Sequence, residues 1–329
     1  MHAPRTATGW ATITTICGLA ALGTAPSSHA QEYPTRNVRI IVPWAPGGTT
    51  DILARLVGEH LRSTLGASVV VDNRPGANGT IGTELAARAT ADGYTLLMAT
   101  SSTHVVNPNL TKVPFDPIKD FEPITVVGTT PFLLLVNQSV AATSVKELID
   151  LAKKQPNRLN FGSYGHGSAP QLVAELLKTS AKIEMSHVPY KGSAPVLQAL
   201  IAGEVGVAFD PLSTSLPYVK SGKIKALAIT STARSPLISE LPTLSESGVP
   251  GFEANAWYGL EAPSKTPSAV LGKLHAQVVS YLKQPDVQKR FLDMAVVPVG
   301  NTPAEFGAQI ARESAKWKQV IQQAGIKID

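Results

Sequence analysis

Cysteine is nearly missing from this chain: Cys17 is the only one, and it lies within the first thirty residues. If cleavage follows Ala30, as argued below, the remaining protein has no thiol nucleophile, no disulfide and no thiolate metal site. Its stability must then come from an ordinary hydrophobic core, and about 300 residues suffice for two medium-sized domains. Aromatic residues make up only 6%, no run of Lys or Arg occurs, and the net charge is +5, one unit less without Arg5. Nucleic-acid binding has nothing to rest on, although a mildly basic body still attracts anionic ligands. No stretch reaches eighteen uninterrupted apolar residues, so no membrane-spanning helix is expected. Catalytic signatures are missing too: there is no G-x-S-x-G elbow, and no P-loop or dinucleotide fingerprint is complete. His60, His104, His166, His187 and His275 show neither H-x-H nor H-E-x-x-H spacing. No enzymatic activity, metal or cofactor is therefore expected.

The first thirty residues carry Arg5 as their only Lys or Arg, then an apolar and small-residue run from Trp10 to Ala25, then Ser28-His29-Ala30. This is the pattern of a secretory signal peptide over residues 1–30, cleaved after Ala30, and it predicts a periplasmic protein.

The most informative stretch follows, from Val38 to Arg55. Val38, Ile40, Ile41 and Val42 form a short β-branched run of interior-strand length, and Ile52, Leu53, Leu56 and Val57 repeat at helical spacing. Between them Gly47 and Gly48 permit a tight turn with no side chain over the backbone amides, with Gly48 or Thr49 as the helix N-cap. A helix start at the carboxyl end of a strand presents free N–H groups and a positive dipole end, which suits an anion. Asp51 has two readings: it stabilises the dipole of the first turn, or it accepts from a ligand hydroxyl, amine or water.

The βα alternation continues with a strand at Val69 to Asp72, a helix from Gly79 to Ala89 and a strand from Tyr94 to Ala99, so three parallel strands are predicted. The loops Asn73 to Thr80 and Thr100 to His104 then fall on the same sheet edge as the first. An apolar passage from Ile124 to Val136 leads to a second α/β unit: strands near Leu159 to Phe161, Ile183 to Val188, Val205 to Phe209 and Ile224 to Thr230, with helices near Ser144, from Gln171 to Ser180 and around Val196 to Ala202. Ala254 to Glu261 returns as a strand. The mainly helical remainder cannot form a sheet of its own and is expected to cover the first unit. The predicted fold class is therefore α/β in two lobes joined by two hinge crossings, with residues 31–133 and 254–329 as lobe 1 and residues 134–253 as lobe 2.

Ordered motifs span the chain from Tyr33 onward: YPTRNVRIIVPWAPGGTTDILAR, VVVDNRPGANGTIG, DGYTLL, HVVNP, NFGSYGHGSAPQL, HVPYKG, ALIAGEV, KALAIT and WYGLEAPSKTP. In this series the chain resembles the extracytoplasmic solute-binding proteins of tripartite tricarboxylate transporters, the Bug family. The resemblance implies a type II periplasmic binding fold that closes on a small carboxylate and delivers it to membrane permease subunits. It also implies that one carboxylate is held, partly through water, between the loops Ala45 to Asp51 (with Gly47, Gly48 and Thr49) and Thr100 to His104 (with Ser101 and Thr103). Second-lobe loops at Ser163 to Ser168 (with Gly165), at Tyr190 and at Asp210 would set selectivity. Trp44 stands where the family pattern more often has Phe, either at the pocket mouth or in packing.

Ser168 fits a helix N-cap as well as a ligand contact, and Asp210 fits a turn cap before Pro211 as well as a ligand or water contact. Tyr190 suits core or pocket. His104 and His166 are possible donors to a carboxylate, Lys191 reads as a surface lysine, and Trp257 and Tyr258 read as hinge-strand packing. The ligand stays open among a dicarboxylate, a tricarboxylate, an acidic amino acid and an aromatic acid, with Trp44 and Tyr190 favouring an aromatic or longer acid. A sensor kinase is an alternative partner to the permease, since both would use the same clamp.

Overall fold

The computed structural model describes residues 1–4 and 33–326, and the expected leader run and the expected cleavage after Ala30 lie outside the described residues. Lobe 1 opens with β1 (Val38–Val42), α1 (Thr49–Leu65), β2 (Val69–Asn73), α2 (Thr80–Ala87) and β3 (Thr95–Thr100), followed by one wide helical turn at Ser102–Val106 and the short α3 (Asn107–Leu110). The long β4 (Phe121–Val136) leads into lobe 2, which holds α4 (Val145–Lys154), β5 (Asn160–Ser163), α5 (Ala169–Ala181), β6 (Ser186–Pro189), α6 (Ser193–Ala202), β7 (Val207–Pro211), α7 (Leu212–Lys220) and β8 (Lys225–Ile229). The chain returns through β9 (Asn255–Pro263) and ends with α8 (Ser268–Leu282), α9 (Pro285–Asp293), β10 (Val297–Pro298) and α10 (Pro303–Ala324).

Strand order is β2-β1-β3-β9-β4-β7-β5-β6, with β8 and β10 also on β4. β1 pairs in parallel with β2 and β3, and β5 with β6 and β7, as two βαβ units require. β4 joins the halves: Phe121 to Pro131 pair with β9, and from Phe132 the strand changes partner to β7 and, from Leu133, to β8. Parallel strands covered on both faces need continuous apolar runs, and Ile40, Ile41 and Val42 are all fully buried. Each such side chain contributes about 1.5–3 kcal/mol, which places β1 inside the sheet rather than at its edge.

Leu53, Val57 and Leu61 of α1 pack with Leu274, Val278 and Phe291 of the C-terminal helices on one face of lobe 1. α8 and α9 thus cover this face of the sheet, and α10 reaches further. Its Trp317, Val320 and Ile321 share a core with Leu172 and Leu177 of α5 in lobe 2. It also lies directly on the return strand, where a Cβ at Gly259 would stand 2.2 Å from the Phe306 ring. Trp257 meets Phe306 edge-on at 5.2 Å and donates from Nε1 to Glu313 at 2.9 Å, consistent with packing in the hinge strand.

Two helical segments depart from the sequence expectation. Leu212–Lys220 is helical despite Pro217 within it, and the hydroxyls that obscure its pattern turn back to the backbone, as Ser215 Oγ does to Pro211 O at 2.8 Å. The polar segment after β3 is a wide turn rather than an open loop, and its Val105 and Val106 are buried.

Candidate functional site

β1 delivers the chain through Pro43 and Trp44 into a bare turn. Gly47 sits at φ +87°, a left-handed conformation that glycine adopts without strain, and Gly48 precedes α1 with extended backbone and no side-chain cap. Around Gly48 the nearest atom to an added Cβ is Ala45 O at 3.9 Å, so the turn is open to the outside. Beneath it, Asp51 is 3% exposed, and its Oδ2 accepts from Gly47 N–H at 2.9 Å and Arg55 Nε at 3.0 Å. Asn73 Nδ2 donates to Asp51 Oδ1 at 3.0 Å and to the Trp44 carbonyl at 3.1 Å. Burial alone would raise the Asp51 pKa, but hydrogen bonds from Arg55, Gly47 and Asn73 hold it below the ordinary carboxylate range.

Lobe 2 builds a second turn at the end of β5. Gly165 and Gly167 have φ of +120° and +72°, and Gly167 N–H donates to Gln171 Oε1 at 2.6 Å. Ser168, at the N-cap of α5, turns its hydroxyl to Gly165 O at 2.7 Å and leaves the helix start without a side-chain cap. Under the turn, His187 Nε2 lies 2.6 Å from Ser163 Oγ, and Gln171 Nε2 lies 3.3 Å from His187 Nδ1. Burial, reinforced by His166 and Lys178, pushes the His187 pKa down to about 4, so the imidazole is neutral near pH 7.

The lobe 2 turn faces a cavity of about 300 Å³, which Trp44 reaches from the foot of the lobe 1 turn, while Gly47 and Gly48 are not among its lining residues. Trp44, Asn78, Ser102 and Asn107 line it from lobe 1, Phe132 and Ala256 from the crossings, and Tyr164, His166, Gly167, Ser168 and Pro170 from lobe 2, with Ala169 and Pro211 completing that wall. No Lys, Arg, Asp or Glu is among the lining residues. An anion here would meet the start of α5, hydroxyls, amide side chains and one imidazole. Among the described residues no group of three His, Cys, Asp or Glu is placed to hold a metal ion.

A family model described as the tripartite tricarboxylate transporter family receptor matches residues 53–326. The chain belongs to this receptor family. Among solved structures, R. palustris Rpa4515 with adipate is 38% identical, over 90% of this chain and 99% of that one, with a TM-score of 0.77. The periplasmic binding protein BugD is 35% identical, over 90% and 99%, with a TM-score of 0.73. MatC (Rpa3494) from Rhodopseudomonas palustris with bound malate is 33% identical, over 88% and 100%, also at 0.73. Members of this family are periplasmic solute-binding proteins, and among the described residues no helix is long and apolar enough to cross a membrane.

Within this receptor the site residues expected from sequence divide into three groups. Trp44 and Ser168 line the cavity, while Ala45, Gly47 and Gly48 are exposed on the lobe 1 turn and Thr49 starts α1. Asp51, Ser163 and Gly165 shape the turns from behind: the Asp51 carboxylate is committed to Gly47, Arg55 and Asn73, and Ser163 is fully buried.

The third group is corrected. His104 is fully buried, with Nδ1 2.9 Å from Thr103 Oγ1 and Nε2 2.7 Å from Glu261 Oε2, among the rings of Phe115, Phe121 and Trp257. It is a core histidine, because the wide turn after β3 points it into the sheet rather than toward the cleft. Thr103 is committed to Thr100 as well as to His104, and Ser101 is buried beside it. Tyr190 turns its hydroxyl to Glu204 at 3.4 Å and does not line the cavity. Asp210 is fully buried beneath the hydroxyls of Tyr164, Ser193 (2.6 Å) and Thr214, and burial raises its pKa against those three donors.

Sequence reasoning singled out none of Asn78, Asn107, Phe132 or Tyr164 for the cavity. Asn78 had a local signal, since it lies in the Gly-rich second crossover and takes φ +52°. Phe132 had none, because only the partner exchange along β4 brings it to the cleft.

Proposed function

We propose that this receptor closes its lobes on a small organic carboxylate, grips it with helix-start amides and hydroxyls rather than a cationic side chain, and presents the closed form to the membrane subunits of a tripartite tricarboxylate transporter. The observation that carries this reading is the cavity between the lobes, walled on one side by the Gly167-Ser168 turn at the uncapped start of α5 and on the other by Trp44, Asn78, Ser102 and Asn107, with the open Gly47-Gly48 turn before uncapped α1 next to Trp44. Relatives holding adipate and malate support a carboxylate as the ligand class. A dissociation constant near ~1 μM corresponds to about −8 kcal/mol. Three or four charge-assisted hydrogen bonds of about 1.5–3 kcal/mol each, with burial of the ligand's apolar body, supply that after association costs are met.

The division into lobe 1 (31–133 and 254–329) and lobe 2 (134–253) is part of the proposal. The partner change in β4 after Pro131 and the start of β9 at Asn255 support it. Export by a leader cleaved after Ala30, and the absence of catalysis, belong to the same reading. The test is thermal-shift screening of the purified protein against a carboxylic-acid panel that includes adipate and malate. A ligand at 100-fold its Kd should add about 2.7 kcal/mol of stability. A panel with no stabilising acid would sink the receptor reading, and consumption of a panel compound would make the protein an enzyme.

A further inference from the structure

Three aromatic side chains stand around the cavity, each from a different part of the fold: Trp44 after β1, Phe132 at the partner change in β4, and Tyr164 after β5. Two of them are held from behind. The Tyr164 hydroxyl donates to the fully buried Asp210, whose carboxylate is itself fixed by Ser193 and Thr214, so the ring cannot swing away without breaking that cluster. Trp44 is tied at its carbonyl by Asn73, and its ring edge rests over Gly79, where an added Cβ would come within 3.3 Å of Cζ2. Rings already fixed lose little freedom when a ligand docks, which makes them effective binding surfaces. The same cavity is lined by polar groups at Asn78, Ser102, His166 and the start of α5, and no Lys, Arg, Asp or Glu is among its lining residues.

We infer that the preferred ligand is an aromatic carboxylate whose ring is clasped between Trp44 and Tyr164 while its carboxylate takes the helix-start amides. The inference rests on the carboxylate-receptor reading and narrows it. Offset or edge-on contact of a ligand ring with two fixed aromatic side chains adds affinity that a saturated body of equal size cannot obtain.

The test is calorimetry on the purified protein with two matched pairs, benzoate against cyclohexanecarboxylate and 3-phenylpropionate against 3-cyclohexylpropionate, with adipate as a fifth probe. In at least one pair the aromatic acid should bind about tenfold tighter than its saturated partner, which is about 1.4 kcal/mol, and tighter than adipate. Trp44→Leu and Tyr164→Leu should each reduce that gap to threefold or less. Trp257 and Trp317 are buried, so the ligand-dependent tryptophan fluorescence change should vanish in Trp44→Leu. Saturated acids or adipate binding as tightly as the aromatic ones would overturn the inference and leave the receptor reading intact. A gap that survives both substitutions would overturn it as well. Failure of all five acids to bind would remove the inference together with the reading beneath it.

Discussion

In lobe 1 the N–H of Gly47 donates to the carboxylate of Asp51, and in lobe 2 the N–H of Gly167 donates to the amide oxygen of Gln171. Both acceptors lie four residues on, and both are the third residue of their helix. The device is shared but its charge is not. Asp51 carries a negative charge close to the turn proposed to take an anion, and Arg55 offsets it through Nε at 3.0 Å and Nη2 at 2.9 Å. Gln171 is neutral and instead packs beside His187, which must stay neutral to keep its place. One turn is braced ionically and the other by uncharged groups, so different conditions should loosen each.

Gly48→Val should have the largest effect. An added side chain meets open space within the protein, so the melting temperature should hold while the covered amides lose more than 100-fold in calorimetric affinity. Undiminished binding would remove the lobe 1 turn from the site. Asp51→Ala comes next, because it leaves the Gly47 N–H and the Asn73 amide without their acceptor. It should lower stability by about 1–3 kcal/mol and weaken binding about tenfold, read from melts and titrations on the same sample. Gln171→Ala breaks the uncharged brace and should lower stability by about 1 kcal/mol with a smaller loss of affinity. If it proves the more damaging of the two, the contrast drawn between the braces is reversed.

The two braces should also separate in pH. His187 is neutral in the fold with its pKa at about 4, whereas an unfolded imidazole titrates near 6.5. The unfolded chain therefore takes the proton first, and stability present above about pH 6.5 is lost as pH falls toward 4. Replacing His187 by Gln should flatten that part of the melting curve against pH by about 2–4 °C. Asp51 works in a lower window: its folded pKa lies below the unfolded value of 3.8, so its contribution persists above about pH 4 and fades only below it. Arg55→Ala should be the mildest change, under about 1 kcal/mol, because the guanidinium side chain is 55% exposed and water screens the pair. A larger loss would mean that neutralising Asp51 matters more than its hydrogen bonds.

Much of the frame was legible because its signals are local. The β-branched run of β1, the apolar spacing of α1 and the glycines at 47, 48, 165 and 167 act within a few residues of themselves, and they marked both turns. The strands of lobe 2 were found with ends shifted by a residue or more, since apolar runs overrun the residues that actually pair: β7 is Val207–Pro211 rather than Val205 to Phe209. α7 was invisible because Pro217 and its Ser-rich surroundings imitate a loop. Asp51 was read as a dipole or ligand group, and its bond to Gly47 became visible only once the turn had a shape.

The sequence by itself determined the alternation of strands and helices, the two bare turns and the family. Tertiary structure alone decided which polar groups meet the cavity. His104 and His166 both sit in loops after strands, yet the first is buried against Glu261 on the return strand and the second is exposed at the cleft. Asp210 and Tyr164 are linked across β7 and β5, and Phe132 reaches the cleft through the partner exchange along β4. Helix and turn propensities depend on neighbours in the chain, whereas the direction of a buried side chain depends on which distant strand lies beside it.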